Sequence, residues 1–217
     1  MYRALQLRLF LDPMEVMRHL PFYLLALAAS GLSAQTLQPD ERSFAMSHLH
    51  ATRKQFLDSI VGLSPAQLAF KAGPDRWSIA ECAEHITLSE DLIYNVATDR
   101  VMKTPIVKRD PAVYKKIDQE LVKNIIDRSH KATAPEQLKP SNKWKSMEEM
   151  ITEFKEKRNR TLDWVEKTDV DARSHVAPHP VFKDLDAYEW ILLLSGHSER
   201  HTLQILEVKA DPKFPKK

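Results

Sequence analysis

Four stretches of this chain return their apolar side chains to one face every three or four residues, and that spacing restricts the fold more than any other feature. The first runs from about Asp40 to Gly62, with Ala45, Leu49, Phe56 and Ile60 in step. The second opens in "WSIAECAEHITLSEDLIYNV", where Cys82, Ile86, Ser89 and Ile93 share a stripe and His85 lies beside it. The third opens in "SMEEMITEFKEKRNRTLDWVEKT", with Met150, Phe154, Thr161 and Trp164/Val165 on its buried side. The fourth covers about Asp186 to Lys209 and aligns Trp190, Leu194, His197, His201, Ile205 and Val208. Ser78 with Glu81, and Ser146 with Glu149, read as capping boxes that start the second and third helices. Only 4 glycines in 217 residues argue against a hairpin-rich β fold, which needs them at its turns.

Residues 102–145, rich in Lys and Pro, separate the second helix from the third, and within them 113–128 read as a shorter amphipathic helix. A long connection joins parallel neighbours, because a short loop can only return antiparallel. The expected fold is therefore all-α: an up-down-down-up four-helix bundle with a crossover between helices 2 and 3.

Residues 1–34 have the order of a secretory signal: a basic start, an apolar run from Leu20 to Ala29, then small residues up to Ala34. Met14 or Met17 is an alternative start. An uncleaved membrane anchor is the alternative, although the apolar run is short for a span. The expectation is an exported domain over residues 35–217, periplasmic or extracellular, with no membrane contact after cleavage. A net charge of +2 gives no electrostatic case for a nucleic-acid partner. A single cysteine, Cys82, excludes an internal disulfide framework.

With nine histidines in the chain, an i,i+4 pair arises readily by chance, so spacing alone does not make a metal site. His175 and His179 are flanked by Pro178 and Pro180, which forbid the helix that would align them. His48 and His50 sit ~200° apart on a helix and cannot converge. His197 and His201 differ, because both fall on the apolar face of a convincing helix. Burying two unpartnered imidazoles costs several kcal/mol, which hydrogen bonds or a metal must offset. His85 is the candidate third ligand, and three histidines plus an open position is the arrangement of catalytic zinc.

"WSIAECAEHI" together with "HSERHTLQI" resembles the DinB-like family of four-helix metalloproteins over about residues 40–209. The resemblance implies the same up-down-down-up bundle, with a divalent metal held by His85, His197 and His201. Zinc is the first expectation for that metal, with nickel, iron or manganese as alternatives. Relatives include thiol-dependent S-transferases and proteins taken to be metal-dependent hydrolases. The resemblance thus implies a hydrolase or group transferase acting on a small molecule. The competing reading is a non-catalytic metal-binding or stress-associated module. Export would separate the chain from the cytosolic thiol pool, which weighs against the thiol transferases. Related bundles commonly dimerise, so a homodimer is compatible with the resemblance, although no pattern in this sequence specifies one. Glu81 and Glu84 are candidates to orient an imidazole from behind, against a simpler role in capping and on the surface. Cys82 is either a fourth ligand or a core residue. Arg158 and Arg200 are candidates to hold an anionic substrate.

Overall fold

The computed structural model describes residues 36–129 and 133–216, and the signal-like stretch 1–34 lies outside the described residues. Pro39 at a first helical position starts α1 (Pro39–Ile60), where Gln38 and Glu41 exchange capping hydrogen bonds. The helix stops before Gly62, whose φ of 69° lies in the left-handed region that favours glycine. A single turn, α2 (Pro65–Ala69), is capped by Ser64. The Ser78–Glu81 capping box then opens α3 (Ile79–Asn95) as the sequence indicates. At α5 (Met147–Lys167) Ser146 accepts from the Glu149 amide, but the Glu149 carboxylate turns to the Lys145 amide instead of closing the box. Asp186 and Glu189 form a full capping box at the start of α6 (Ala187–Lys209).

Two apolar clusters define the direction of each helix. One gathers Phe56 and Ile60 from the end of α1, Ile79 to Ile86 from the start of α3, Met150 and Phe154 from the start of α5, and Ile205 and Val208 from the end of α6. The other gathers Ala45 and Leu49, Ile93, Leu162 and Val165, and Ala187 to Leu194 from the opposite ends. So α1 and α6 run one way and α3 and α5 the other, the expected up-down-down-up order. Each of α1 and α3 packs between α5 and α6.

A polar layer separates the two clusters, with each bundle helix contributing to it. Arg158, fully buried, donates Nε and Nη2 to the buried Glu90 carboxylate at 2.9 and 2.5 Å. Its remaining donors reach Ser198 Oγ at 2.7 Å, Thr52 Oγ1 at 2.8 Å and the Leu49 carbonyl at 2.9 Å. Thr52 Oγ1 lies 2.9 Å from Ser195 Oγ, which lies 2.6 Å from His48 Nδ1.

Beyond Asn95 the helix widens into a π turn (Val96–Arg100) and a tight turn (Val101–Lys103). The crossover then lays α4 (Tyr114–Ile126) against α6. Close approach is allowed there by Gly196, where a Cβ would stand 3.0 Å from Ile125 Cγ2. A short antiparallel hairpin, β1 (Val176–His179) with β2 (Lys183–Asp186), precedes α6. Helical periodicity does not indicate it. Buried Arg173 ties these parts to the bundle through Asp118 of α4, Asp186 of β2 and Glu41 of α1. Tyr114 and Tyr188 cover its guanidinium, 3.9 and 4.6 Å away. No helix among the described residues is long and apolar enough to cross a membrane.

Candidate metal centre

The capping box at Ser78 fixes the phase of α3, and His85 follows two turns later, 2% exposed, pointing towards α6. On α6, His197 and His201 occupy consecutive turns of the face that meets α3, both half-buried. The structure brings the three rings together, with centroids 4.9 Å (His85–His197), 4.4 Å (His85–His201) and 4.5 Å (His197–His201) apart. One nitrogen from each lies within 4.8 Å of the others, and among the described residues no carboxylate or thiol joins the group.

Hydrogen bonds assign the tautomers. His85 Nδ1 lies 2.8 Å from the Leu138 carbonyl, which can only accept, so the proton sits on Nδ1 and the lone pair on Nε2. His201 Nδ1 lies 3.0 Å from Gln204 Oε1, which likewise turns its Nε2 lone pair inward. His197 Nε2 is 3.2 Å from His85 Nε2, while its Nδ1 is buried without a partner. Burial holds the pKa of His85 below the usual imidazole value, against the opposing Leu138 bond. Burial, then the neighbouring His201 and His85, push His197 far down. Burial and then His85 push His201 down to about 3. All three rings are therefore neutral at physiological pH, the form that ligates metals.

This cluster fits a divalent cation. At Zn–N distances of about 2.0–2.1 Å, tetrahedral ligand nitrogens stand roughly 3.3 Å apart, close to the 3.2 Å between His85 and His197. His197 Nε2–H can donate to the His85 lone pair at 3.2 Å only by leaving the buried His197 Nδ1 without a donor, whereas a cation would take a lone pair from each ring. Trp77 packs on the group, its ring 4.8 Å from His85 and 6.1 Å from His201. Cavities of about 370 and 300 Å³ lie on other faces, and neither has one of these histidines in its wall.

The other candidate residues are placed elsewhere. Glu81 accepts from the Ser78 amide and pairs with Lys71, so it serves the cap and not an imidazole. Glu84 accepts from the backbone amides of Ser141, Asn142 and Lys143, anchoring the end of the crossover. Cys82 sits in the apolar cluster, where burial pushes its thiol up to about 12, so it is core and not a ligand. Arg158 is locked in the polar layer and presents nothing to a substrate. Arg200 donates to the Ile125 and Asp127 carbonyls at the end of α4. His175 Nδ1 meets the Thr104 carbonyl and His179 Nδ1 accepts from the amides of Val181 and Phe182, so neither joins the triad. The residues that do orient the imidazoles are Leu138, through a backbone atom with no sequence signature, and Gln204, whose i+3 spacing from His201 is a readable signal.

Fold and site together define a four-helix bundle that gathers three neutral imidazoles from two of its helices. Residues 48–205, more than half of the chain, match the sequence profile of the DinB superfamily, and the chain belongs to that superfamily. It is 27% identical over 164 residues to the uncharacterized protein YuaE of Bacillus subtilis (strain 168), spanning 76% of this chain and 96% of the relative. Among solved structures it is similar to YfiT from Bacillus subtilis, described as "a probable metal-dependent hydrolase with an unusual four-helix bundle topology". That match has 12% identity, 82% coverage of this chain, 90% of the other and a TM-score of 0.50. It is also similar to TT2238, described as a four-helix bundle protein, at 20% identity, 76% and 98% coverage and a TM-score of 0.47. At such identity the likeness to YfiT bears on the fold alone.

Proposed function

We propose that this protein binds one divalent metal ion through His85, His197 and His201 and uses it as a hydrolase or group transferase acting on a small molecule. The observation that carries this reading is the inward convergence of neutral imidazole nitrogens with no acidic group among them. A bound ion would supply Lewis acidity, generating a nucleophile from water or a thiol near neutral pH. The protein's own part is to hold the rings. Leu138 and Gln204 set two of them, and Trp77 packs against His85 and His201. Three nitrogen ligands favour zinc, with nickel, iron and manganese as alternatives for analysis to separate.

The description of YfiT as a probable metal-dependent hydrolase is consistent with this reading. The signal-like residues 1–34 support export, with the N-terminal mass of the recovered protein as the check. The balanced charge supports a partner other than nucleic acid.

Metal analysis of the purified protein should find one equivalent per chain, and His85→Ala should abolish it. Ester, amide and thiol-transfer substrates then test for turnover that chelation removes and added metal restores. Metal binding without any turnover would assign the ion a structural or regulatory role. No bound metal, and no shift in melting temperature with added Zn²⁺, would defeat the proposal.

A further inference from the structure

The geometry points to Gln204 and Arg128 as positioning residues of the metal centre, a relay through which the crossover sets the orientation of His201. This inference rests on the metal-binding reading above. The amide oxygen of Gln204 faces two donors, His201 Nδ1 at 3.0 Å and Arg128 Nη1 at 3.5 Å. Turned over, the same amide would present its NH₂ to both, so one orientation alone satisfies the pair. Gln204 thus holds the proton of His201 on the outward nitrogen and aims the Nε2 lone pair at the other rings.

Arg128 is itself clamped. Its Nε and Nη2 form a fork on the Glu207 carboxylate at 2.8 and 3.0 Å, and Nη1 also reaches the Arg200 carbonyl at 3.3 Å. Arg76 approaches the same carboxylate at 3.4 Å. Glu207 is substantially exposed, so these ion pairs add little to stability. Their consequence is geometric: a guanidinium from the residue pair after α4 is fixed against the last turns of α6. His85 receives equivalent support from the Leu138 backbone, which no side-chain substitution removes. Gln204 is therefore the position where ligand orientation can be changed without touching a ligand.

The sign of one substitution separates positioning from simple charge. Arg128 is a cation near a cation site, so if its charge alone mattered, Arg128→Ala would tighten metal binding. If it acts through Gln204, the same change loosens binding. The experiment titrates the full chain with Zn²⁺ by calorimetry and records Co²⁺ absorption spectra. It compares wild type, Gln204→Leu, Gln204→Glu and Arg128→Ala, with the melting temperature of each metal-free protein alongside. Gln204→Leu should weaken Zn²⁺ binding about 10–100-fold and alter the Co²⁺ ligand-field bands, while its metal-free melting temperature stays close to wild type. Gln204→Glu keeps an acceptor and should bind at least as tightly as wild type. Arg128→Ala should weaken binding several-fold. Tighter binding by Arg128→Ala, or wild-type affinity and spectrum in Gln204→Leu, would overturn the relay while leaving the metal site intact. Failure of the wild-type chain to bind either ion would overturn the relay together with the metal reading.

Discussion

Replacing Arg158 with methionine tests the polar layer at the middle of the bundle. Arg158 is 0% and Glu90 1% exposed, and the carboxylate receives both arms of the guanidinium at 2.9 and 2.5 Å. Methionine fills much of the same space but leaves Glu90 with Ser198 Oγ, at 3.1 Å, as its remaining side-chain donor. Breaking one partner of a buried ion pair costs about 3–5 kcal/mol, because the other charge stays buried. Against a typical domain stability of about 5–15 kcal/mol, the variant should still fold but sit near the margin. At about 2–4 °C per kcal/mol for a chain of this size, the melting temperature should fall by roughly 6–20 °C. The double variant Arg158→Met/Glu90→Met removes both charges and should lose less than about 2 kcal/mol, a coupling energy of several kcal/mol. Urea unfolding followed by circular dichroism and tryptophan fluorescence measures these two variants together with the single Glu90→Met. An Arg158→Met variant within about 1 kcal/mol of wild type, or a double variant whose loss equals the sum of the singles, would refute the coupling argued for this pair.

Two further outcomes follow from packing. Gly196→Ala gains about 1 kcal/mol of helix propensity but sets a methyl 3.0 Å from Ile125 Cγ2 and 3.3 Å from its Cβ, close to the α4 backbone. A net loss of stability in urea unfolding is expected, and a gain near the propensity value would show that α4 shifts freely. Cys82, with its thiol pushed up to about 12 by burial, should resist alkylation at pH 8 in the native protein and react once denatured. Rapid labelling of the native chain would contradict its place in the core.

The helices were legible because their signals are local. Serine caps at positions 78 and 146, with apolar residues at helical spacing, mark starts and faces without reference to the rest of the fold. The hairpin was not, because its strands are four residues each and Pro178 occupies one of them. Proline denies a helix there but says nothing in favour of a strand. Arg158 illustrates a signal present but discounted. Met150, Phe154, Thr161 and Val165 define a buried stripe, and position 158 falls in step with it, so an arginine there had to be either buried or an interruption. The bundle's own geometry decides which, since only the folded chain brings Glu90 and Thr52 opposite it. Of the two carboxylates near His85, the sequence indicates the role of one and not of the other. Glu81 accepts from the Ser78 amide as its capping box announces, whereas Glu84 finds its donors on the crossover, at Ser141, Asn142 and Lys143, which adjacency along α3 does not indicate.

Polar residues on otherwise apolar stripes therefore divide by whether their hydrogen bonding closes among themselves. Around Arg158 it does: the guanidinium's donors, the Glu90 carboxylate and the hydroxyls of Thr52 and Ser198 satisfy one another, and no outside species is needed. Among the three histidines it does not. Two Nδ1 protons are tied outward, so two lone pairs face inward, and the third ring can place its single proton on one nitrogen only at the expense of the other. A shared cation resolves that imbalance, whereas protonating the rings would place positive charges within 5 Å of one another in a buried cluster. The same test, applied to any helical bundle, separates a buried ionic layer that satisfies itself from a cluster with donor atoms left over that could hold a cation.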